Sequence, residues 1–307
     1  MKKVSVITVN YNQPQVTETL LKSIAEHNKY QALQIIVVDN GSREDPIPYW
    51  RKKYPDHTFL RSEINLGFAG GNNLGVSLAD GDYLFFVNND TEFTVGLVES
   101  LVALMDQHSQ IGMISPKIRY FDQPQVIQYV GFTPMDYYTA RNKCIGEYET
   151  DEGQYDETTG KTGFIHGAAM MVRKEAIERA GLMFESFFLY YEEMDWCERI
   201  RKCGFEIWVE PRAVIYHKES VSVGKKSALK EYFMNRNRIL FIRRNGPPSS
   251  KYIFYAYFAA VVFPRNMLRY ILEKRSDLCR QLILAVKWNL THNQNSTELG
   301  YPVHKIK

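Results

Sequence analysis

Carboxylates, amides and one histidine gather in short clusters that could do chemistry. Glu192, Glu193 and Asp195 stand within four positions at the start of an expected helix, Glu192 to Cys203. A carboxylate there can take a proton from a reacting hydroxyl, or it can simply complement the positive end of the helix dipole. Asn88, Asn89 and Asp90 close a hydrophobic run. A divalent ion on a diphosphate needs one or two protein oxygens and leaves its other positions to phosphate and water, which Asp90 suits. A strand-end Asp can equally cap the helix that follows. Asp39, Asn40, Gly41 and Ser42 end a second run, where a carboxylate can accept a hydrogen bond from a base N–H and glycine lets backbone approach a ligand. Thr8, Asn10, Tyr11 and Asn12 crown the first run in the same way. His217 closes a later one, and a strand-end histidine is either a ligand or hydrogen-bonded locally.

Asn65 to Gly75 holds four glycines, with Gly67 and Gly71 among them, and three asparagines, with Asn73 the last. It has neither the G-x-G-x-x-G order nor a G-x-x-x-x-G-K-[ST] loop, which disfavours dinucleotide and P-loop enzymes. A glycine-rich loop opening a short helix can still hold phosphate or sugar through backbone N–H groups, or be a packed turn. Arg236 and Arg238 could clamp phosphate with bidentate forks, or be solvated.

These clusters need strand ends to position them. Val4–Val9 and Ile35–Val38 are β-branched runs, as buried parallel strands are. Between them a helix is expected, capped by Asn12 or Gln13 and opened by Pro14, with Val16, Leu20 and Ile24 on one face. Tyr83–Val87 is a third strand and Val95–His108 the next helix, so the chain predicts an α/β sheet with ligands at the strand carboxyl ends. Tyr120–Gly163 reads as a solvated insertion or mobile loop, with its acids, Asp151 among them, facing water. Beyond Phe164–Val172 the pattern predicts a helix from about Lys174 and short strands near Glu206–Val209 and Ala213–Tyr216. Lys225 to about Leu290 reads as helical and basic, broken at Pro247-Pro248.

Over 307 residues, 45% are hydrophobic, enough for one large or two small domains. The formal charge of +3 hides an asymmetry. Residues 1–217 carry a net −9 and residues 218–307 a net +12. That excludes a chain-wide nucleic-acid binder and makes the tail a local patch for an anionic surface, such as a membrane leaflet. Tyr252–Phe263 is aromatic and precedes Arg265, Arg269, Lys274, Arg275 and Arg280. An interfacial helix needs that combination, although a helix packed on the main domain with a solvated basic face shows it too. Four cysteines without C-x-x-C spacing fit a reducing cytosol, and no apolar stretch approaches the roughly 20 residues of a membrane span.

Taken together, Val4–Asn12, Asp39–Ser42, Asn65–Asn73, Asn88–Asp90, Gly167–Arg173, Tyr190–Arg199, His217 and Arg236–Arg238 resemble family 2 glycosyltransferases of the GT-A fold, over residues 4 to about 245. The nearest likeness is to the rhamnosyltransferase-like branch that builds bacterial cell-surface polysaccharides. The resemblance implies a GT-A-like α/β domain over 1–224 and a mostly helical basic extension over 225–307, used for a membrane surface or an oligomer contact. It implies Asp39 on a pyrimidine base, with Thr8, Asn10, Asn12, Asn40 and Ser42 around it. Asn65, Gly67, Gly71, Asn73, Asn88, Asn89, Ala168, Arg236 and Arg238 would complete the donor site, and Ala169 would leave room for sugar.

Asp90 resembles the last acid of a D-x-D metal motif, and His217 resembles the histidine that joins it on Mn²⁺ or Mg²⁺. Asn88 departs from the family's first Asp, and Glu193 stands where the family's base is an Asp, with Glu192 and Asp195 beside it. The implied reaction is an inverting, metal-dependent transfer from a dTDP- or UDP-sugar to a lipid-linked or polysaccharide acceptor, in the cytoplasm or on the inner face of the plasma membrane. A sugar nucleotidyltransferase and a non-catalytic carbohydrate- or lipid-binding protein are the alternatives.

Overall fold

A computed structural model describes residues 1–218 and 227–303. The amino-terminal part runs β1 (Val4–Asn10), α1 (Pro14–His27), β2 (Leu33–Asn40), α2 (Ile47–Lys53), β3 (Thr58–Ser62), α3 (Gly67–Val76), β4 (Tyr83–Asn88), β5 (Thr91–Phe93) and α4 (Leu97–Gln107). There follow β6 (Ile111–Tyr120), β7 (Ile127–Tyr129), β8 (Gly160–Lys161), β9 (Ala169–Arg173), α5 (Lys174–Ala180), α6 (Glu192–Lys202) and β10 (Glu206–His217). The chain then continues through α7 (Ala228–Asn245), α8 (Pro248–Tyr257), α9 (Phe263–Leu272) and α10 (Ser276–Thr291). Along the sheet the order is β3-β2-β1-β4-β9-β6-β10-β5, with β7 against β6 and β8 against β10. β3, β2, β1 and β4 are parallel; β9 runs against both β4 and β6, so the sheet is mixed.

The β-branched runs become central strands because they can be buried on both faces: Val4, Val6, Ile7, Ile36, Val37 and Val38 are without exposure. α1 lays Leu20, Leu21 and Ile24 on the sheet. Its expected cap does not form. Asn12 is left-handed, at φ 56°, and its Oδ1 accepts the Arg43 N–H at 2.9 Å, leaving Pro14 to open the helix. The glycine-rich segment is α3 itself. A Cβ on Gly75 would stand 2.5 Å from Ile7, and one on Gly71 2.9 Å from Val9, so these glycines let the helix lie close on β1.

Residues 120–163 are not a solvated loop. Phe132 bridges Cys144, Val126 bridges Thr150, and Asp151 is buried between Lys117 at 2.8 Å and Arg119. Burial opposes its charge, but the hydrogen bonds from Lys117 and Arg119 hold its carboxyl below the usual Asp range. The two short strands expected near 206–216 are one strand, β10, with an irregularity between Glu210 and Val214 around Pro211, which has no N–H for a ladder.

The expected boundary at 224/225, like Lys225, lies outside the described residues. α7 is integral to the main core: Phe241 stacks on Tyr137 at 6.3 Å and meets Phe164 and Tyr191. α7 also packs on α10. A smaller cluster of Phe188, Tyr232, Phe233, Ala285 and Val303 ties the last described turn to α7. Tyr252 and Leu272 are more than 70% exposed, so α8 and α9 leave apolar surface uncovered, on α9 beside Arg265 and Arg269. No described helix is long and apolar enough to cross a membrane.

Candidate active site

Strand register brings the polar ends together. Asn10 pairs with Asp39 across β1 and β2, Val9 with Asn88 across β1 and β4, and Val87 with Ala169 across β4 and β9. These ends frame a cleft of about 460 Å³ lined by Tyr11, Asn40, Asn65, Gly67, Phe68, Asn88, Asn89 and Asp90, and walled by Phe188, Leu229 and Tyr301.

Short β5 then runs antiparallel to β10, with Thr91 opposite His217. The pairing sets His217 Nε2 3.1 Å from Asp90 Oδ1, both side chains buried. On the other side of the ring, Nδ1 lies 2.8 Å from Gln128 Oε1. An amide oxygen only accepts, so Nδ1 carries a proton, and in the neutral ring Nε2 turns its lone pair to Asp90. Asp90 Oδ1 accordingly has no hydrogen-bond partner. Two buried lone-pair donors facing each other, with the imidazole oriented from behind, suit a divalent cation. Among the described residues no third His, Cys, Asp or Glu completes a protein cage, so the remaining positions would fall to phosphate and water.

Beneath the cleft a chain of hydrogen bonds fixes the strand ends. Asn89 donates to Thr17 at 3.1 Å, Thr17 to Asn10 Oδ1 at 2.9 Å, and Asn10 to Asp39 Oδ1 at 2.8 Å. Asp39 Oδ2 takes Arg61 Nη1 at 2.7 Å and the Ser42 N–H at 3.3 Å. Asp39 is wholly buried, and both its oxygens are engaged behind the cleft wall.

Several other expected donor residues are turned to the same scaffolding use. Thr8 is buried mid-strand with no partner for its hydroxyl, away from the cleft. Asn12 and Ser42 join their two loops at 2.8 Å. Asn73 holds Met183 O and Glu185 at 2.9 Å, and Ala168 is buried with its carbonyl on the Asn88 N–H. Asn40, Asn65, Gly67, Asn88, Asn89 and Asp90 do reach the cleft.

α6 delivers the carboxylates out of a strained turn. Phe188, Tyr190 and Tyr191 all have left-handed backbones, at φ 62°, 71° and 74°, a costly state for bulky residues. The buried amide of Asn237 holds that turn, lying 2.8 Å from each of the Phe187, Leu189 and Tyr190 carbonyls. Glu193 does not itself line the cleft; it stands behind Gly167, where a Cβ would lie 3.6 Å from the cleft residue Phe68 and 4.0 Å from Glu193 Cγ. Burial raises the Glu193 carboxyl to about 7, and burial with the Glu193 charge beside it raises Glu192 well above the ordinary range.

Asp195 differs. Burial opposes its charge, yet Arg244 and Arg199, each at 2.9 Å, hold it below the usual Asp range, and Asn245 donates at 2.8 Å. It is a structural anion rather than a base. Arg236 is likewise structural, buried with Nη1 on Leu299 O at 2.8 Å, Nη2 on Ser186 O, and its plane 4.4 Å from Trp288. Burial alone depresses it to about 10. Arg238 donates to Thr139 O and faces a different cavity.

Sequence reasoning missed Gln128, His166, Arg61 and Asn237. His166 meets the His217 ring at 5.8 Å and is pushed down to about 3 by burial and by His217. Gln128, His166 and Arg61 belong to no spaced motif, Asn237 sits between Arg236 and Arg238 without having been given a role, and two of the four lie in or beside the stretch read as loop.

A GT-A-like sheet carrying an acid and a histidine at the ends of its strands defines a class, and sequence comparison gives the family. Residues 5–181 match the family described as Glycosyl transferase family 2, and the chain belongs to it. It is 25% identical over 299 residues to the low-salt glycan biosynthesis hexosyltransferase Agl10 of Haloferax volcanii, covering 96% of this chain and 93% of the relative. It is 23% identical over 243 residues to the N-acetylglucosaminyl-diphospho-decaprenol L-rhamnosyltransferase of Mycobacterium tuberculosis, covering 73% and 78%. Among solved structures, S. aureus TarS 1–349 in complex with UDP-GlcNAc superposes with a TM-score of 0.61 at 17% identity, covering 92% of this chain and 81% of that one. The mannosyltransferase PcManGT from Pyrobaculum calidifontis, in complex with GDP-Man and Mn²⁺, gives 0.58 at 16% identity, covering 95% and 76%. The protein is therefore a glycosyltransferase with relatives in glycan and polysaccharide biosynthesis.

Proposed function

We propose that this glycosyltransferase moves a sugar, with inversion, from a dTDP- or UDP-sugar to a hydroxyl of a lipid-linked or polysaccharide acceptor in cell-surface polysaccharide synthesis. The buried pair of Asp90 Oδ1 and His217 Nε2, 3.1 Å apart at the cleft with Gln128 behind the ring, carries the reading. Asp90 and His217 would hold Mn²⁺ or Mg²⁺, which supplies charge stabilisation to a leaving nucleoside diphosphate. Asn40, Asn65, Asn88 and Tyr11 line the space a nucleotide sugar would take, and the Asp39–Arg61–Ser42 cluster keeps that wall in place.

Glu193 acts as the base. Its carboxylate takes the acceptor O–H proton as that oxygen forms its bond to the anomeric carbon, and the bond from that carbon to the phosphate oxygen breaks with its electron pair on the diphosphate. Buried neutral below about pH 7, Glu193 becomes a competent base above it. Relatives named as L-rhamnosyl and dTDP-rhamnosyl transferases favour rhamnose as the sugar. Exposed apolar residues on α8 and α9, with Arg265 and Arg269 on α9, favour peripheral attachment to a membrane.

The test is a titration of UDP and dTDP with and without Mn²⁺. Asp90→Ala should remove the metal-dependent part of the affinity, and an Asp90→Ala titration matching wild type in Mn²⁺ would overturn the assignment.

A further inference from the structure

The donor cleft leaves a second cavity, of about 370 Å³, without a role. It opens beside Tyr191, between α7 and α9, and shares Ser227 with the donor cleft. Lys230, Arg238, Arg265 and Arg269 line it against Glu231 and Glu273. Glu231 is engaged locally, accepting the Asn235 amide at 2.6 Å. The described contacts of the arginines are to neutral groups. Arg238 donates to the Thr139 carbonyl, while its buried Nε has no partner. Arg265 reaches Asn266 Oδ1 at 3.1 Å, and Arg269 reaches the Tyr270 hydroxyl at 2.7 Å. Among the described residues no carboxylate pairs with any of the three.

Burial works against the Arg238 charge, and the cations Arg141 and Arg265 add to that, which a bound anion would reverse. Tyr191 lines the cavity and immediately precedes Glu192 and Glu193 at the start of α6, so the cavity lies next to the turn that carries the proposed base. Around α9 from the cavity, Leu268, Ile271 and Leu272 are at least 59% exposed.

We propose that this cavity takes the phosphate or diphosphate of the acceptor, an isoprenoid-linked glycosyl phosphate whose hydrocarbon leaves the cavity and passes around α9 to its exposed apolar residues. The inference rests on the transfer reaction proposed above, and it assigns the acceptor's anion a seat separate from the donor's. Guanidinium forks match phosphate oxygens two by two. An acceptor held there would have its charged group beside Tyr191 and its sugar toward Glu193, while the donor diphosphate lies across Phe68 at Asp90.

Farnesyl diphosphate is a soluble probe for the full chain by calorimetry, with farnesol and phosphatidylglycerol vesicles as the other arms. Wild type should bind farnesyl diphosphate and ignore farnesol. R265Q/R269Q should weaken it at least about tenfold, the loss expected for two charge-assisted contacts. R280Q, on the exposed face of α10, should stay within about twofold. If the double variant does not fold, as judged by circular dichroism, R269Q alone carries the test with an expected loss of about threefold.

A loss under about twofold in R265Q/R269Q, farnesol binding as tight as farnesyl diphosphate, or recovery on vesicles with no binding of farnesyl diphosphate would each overturn the proposal. The vesicle result would make the patch a bilayer contact instead. A UDP titration with Mn²⁺ on the same wild-type sample reads the donor site independently, so its failure sinks the donor reading and not this one.

Discussion

Replacing Glu193 by Gln separates what the carboxylate does for the reaction from what it costs the fold. In the folded chain burial raises this carboxyl from 4.5 to about 7. The unfolded chain releases the proton near 4.5 and the native chain near 7, so the native state holds more protons in between. Stability therefore falls as pH rises across that window and stays at the lower plateau above it. At about 1.4 kcal/mol per pH unit the full penalty is about 3.5 kcal/mol, and because Glu193 is only partly buried about 1.5–3 kcal/mol is the expected range. For a chain of this length that corresponds to a Tm difference of about 2–5 °C.

Gln keeps the shape and never ionises. The groups that act on this carboxyl or feel its charge are Glu192, Tyr191 and Cys197. Removing the Glu193 charge also relieves Glu192, which has the same sign. Glu193→Gln should match wild type at pH 4.5 and melt higher at pH 8, while transfer from a nucleotide sugar is lost and nucleotide binding is kept. Wild-type transfer should rise with pH through about 7. A melting difference that does not change between pH 4.5 and pH 8, or transfer by Glu193→Gln near the wild-type rate, would refute the reasoning.

Three further outcomes follow from the same geometry. Gln128→Leu removes the acceptor that fixes the His217 tautomer, and should weaken Mn²⁺-dependent UDP binding about tenfold or more, with metal-free binding unchanged. Asn237→Ala strips the amide from three carbonyls of the strained turn; it should cost about 1–3 kcal/mol in urea unfolding and lower kcat more than it raises KM, whereas a KM effect alone would exclude a role in aiming α6. Asp151→Ala leaves buried Lys117 with only Asp156, at 2.8 Å, and should cost about 3–5 kcal/mol; the wild-type pair should weaken only as pH falls below the usual Asp range, since its carboxyl is depressed.

The strand ends were legible because β-branched runs that stop at Asn or Asp are what a buried parallel strand looks like from its sequence, and Asn10, Asp39, Asn88 and Asp90 all fell there. Their orientation was not. Whether a strand-end side chain faces a ligand or a neighbouring loop depends on partners far along the chain, as with Asp39 and Arg61, 22 positions apart. Arg61 itself sits on β3, whose Thr58–Ser62 run is too short and mixed to stand out. Gln128 and Asp151 looked like loop polarity because burial of a polar group leaves no periodic trace; only the Lys117 and Arg119 pairings reveal it. The arginine–asparagine–arginine run of α7 drew attention for its charge, and two of its three members proved to be internal struts.

Tyr301 belongs to the last turn the structure describes, yet it walls the cleft at the strand ends while packing, with tilted rings, against Tyr232 at 5.2 Å and Phe233 at 5.7 Å. Occupancy of the cleft and docking of that turn are thus thermodynamically linked. A bound nucleotide should slow proteolytic clipping of residues 293–300, and a nicked chain should lose nucleotide affinity while its sheet stays intact.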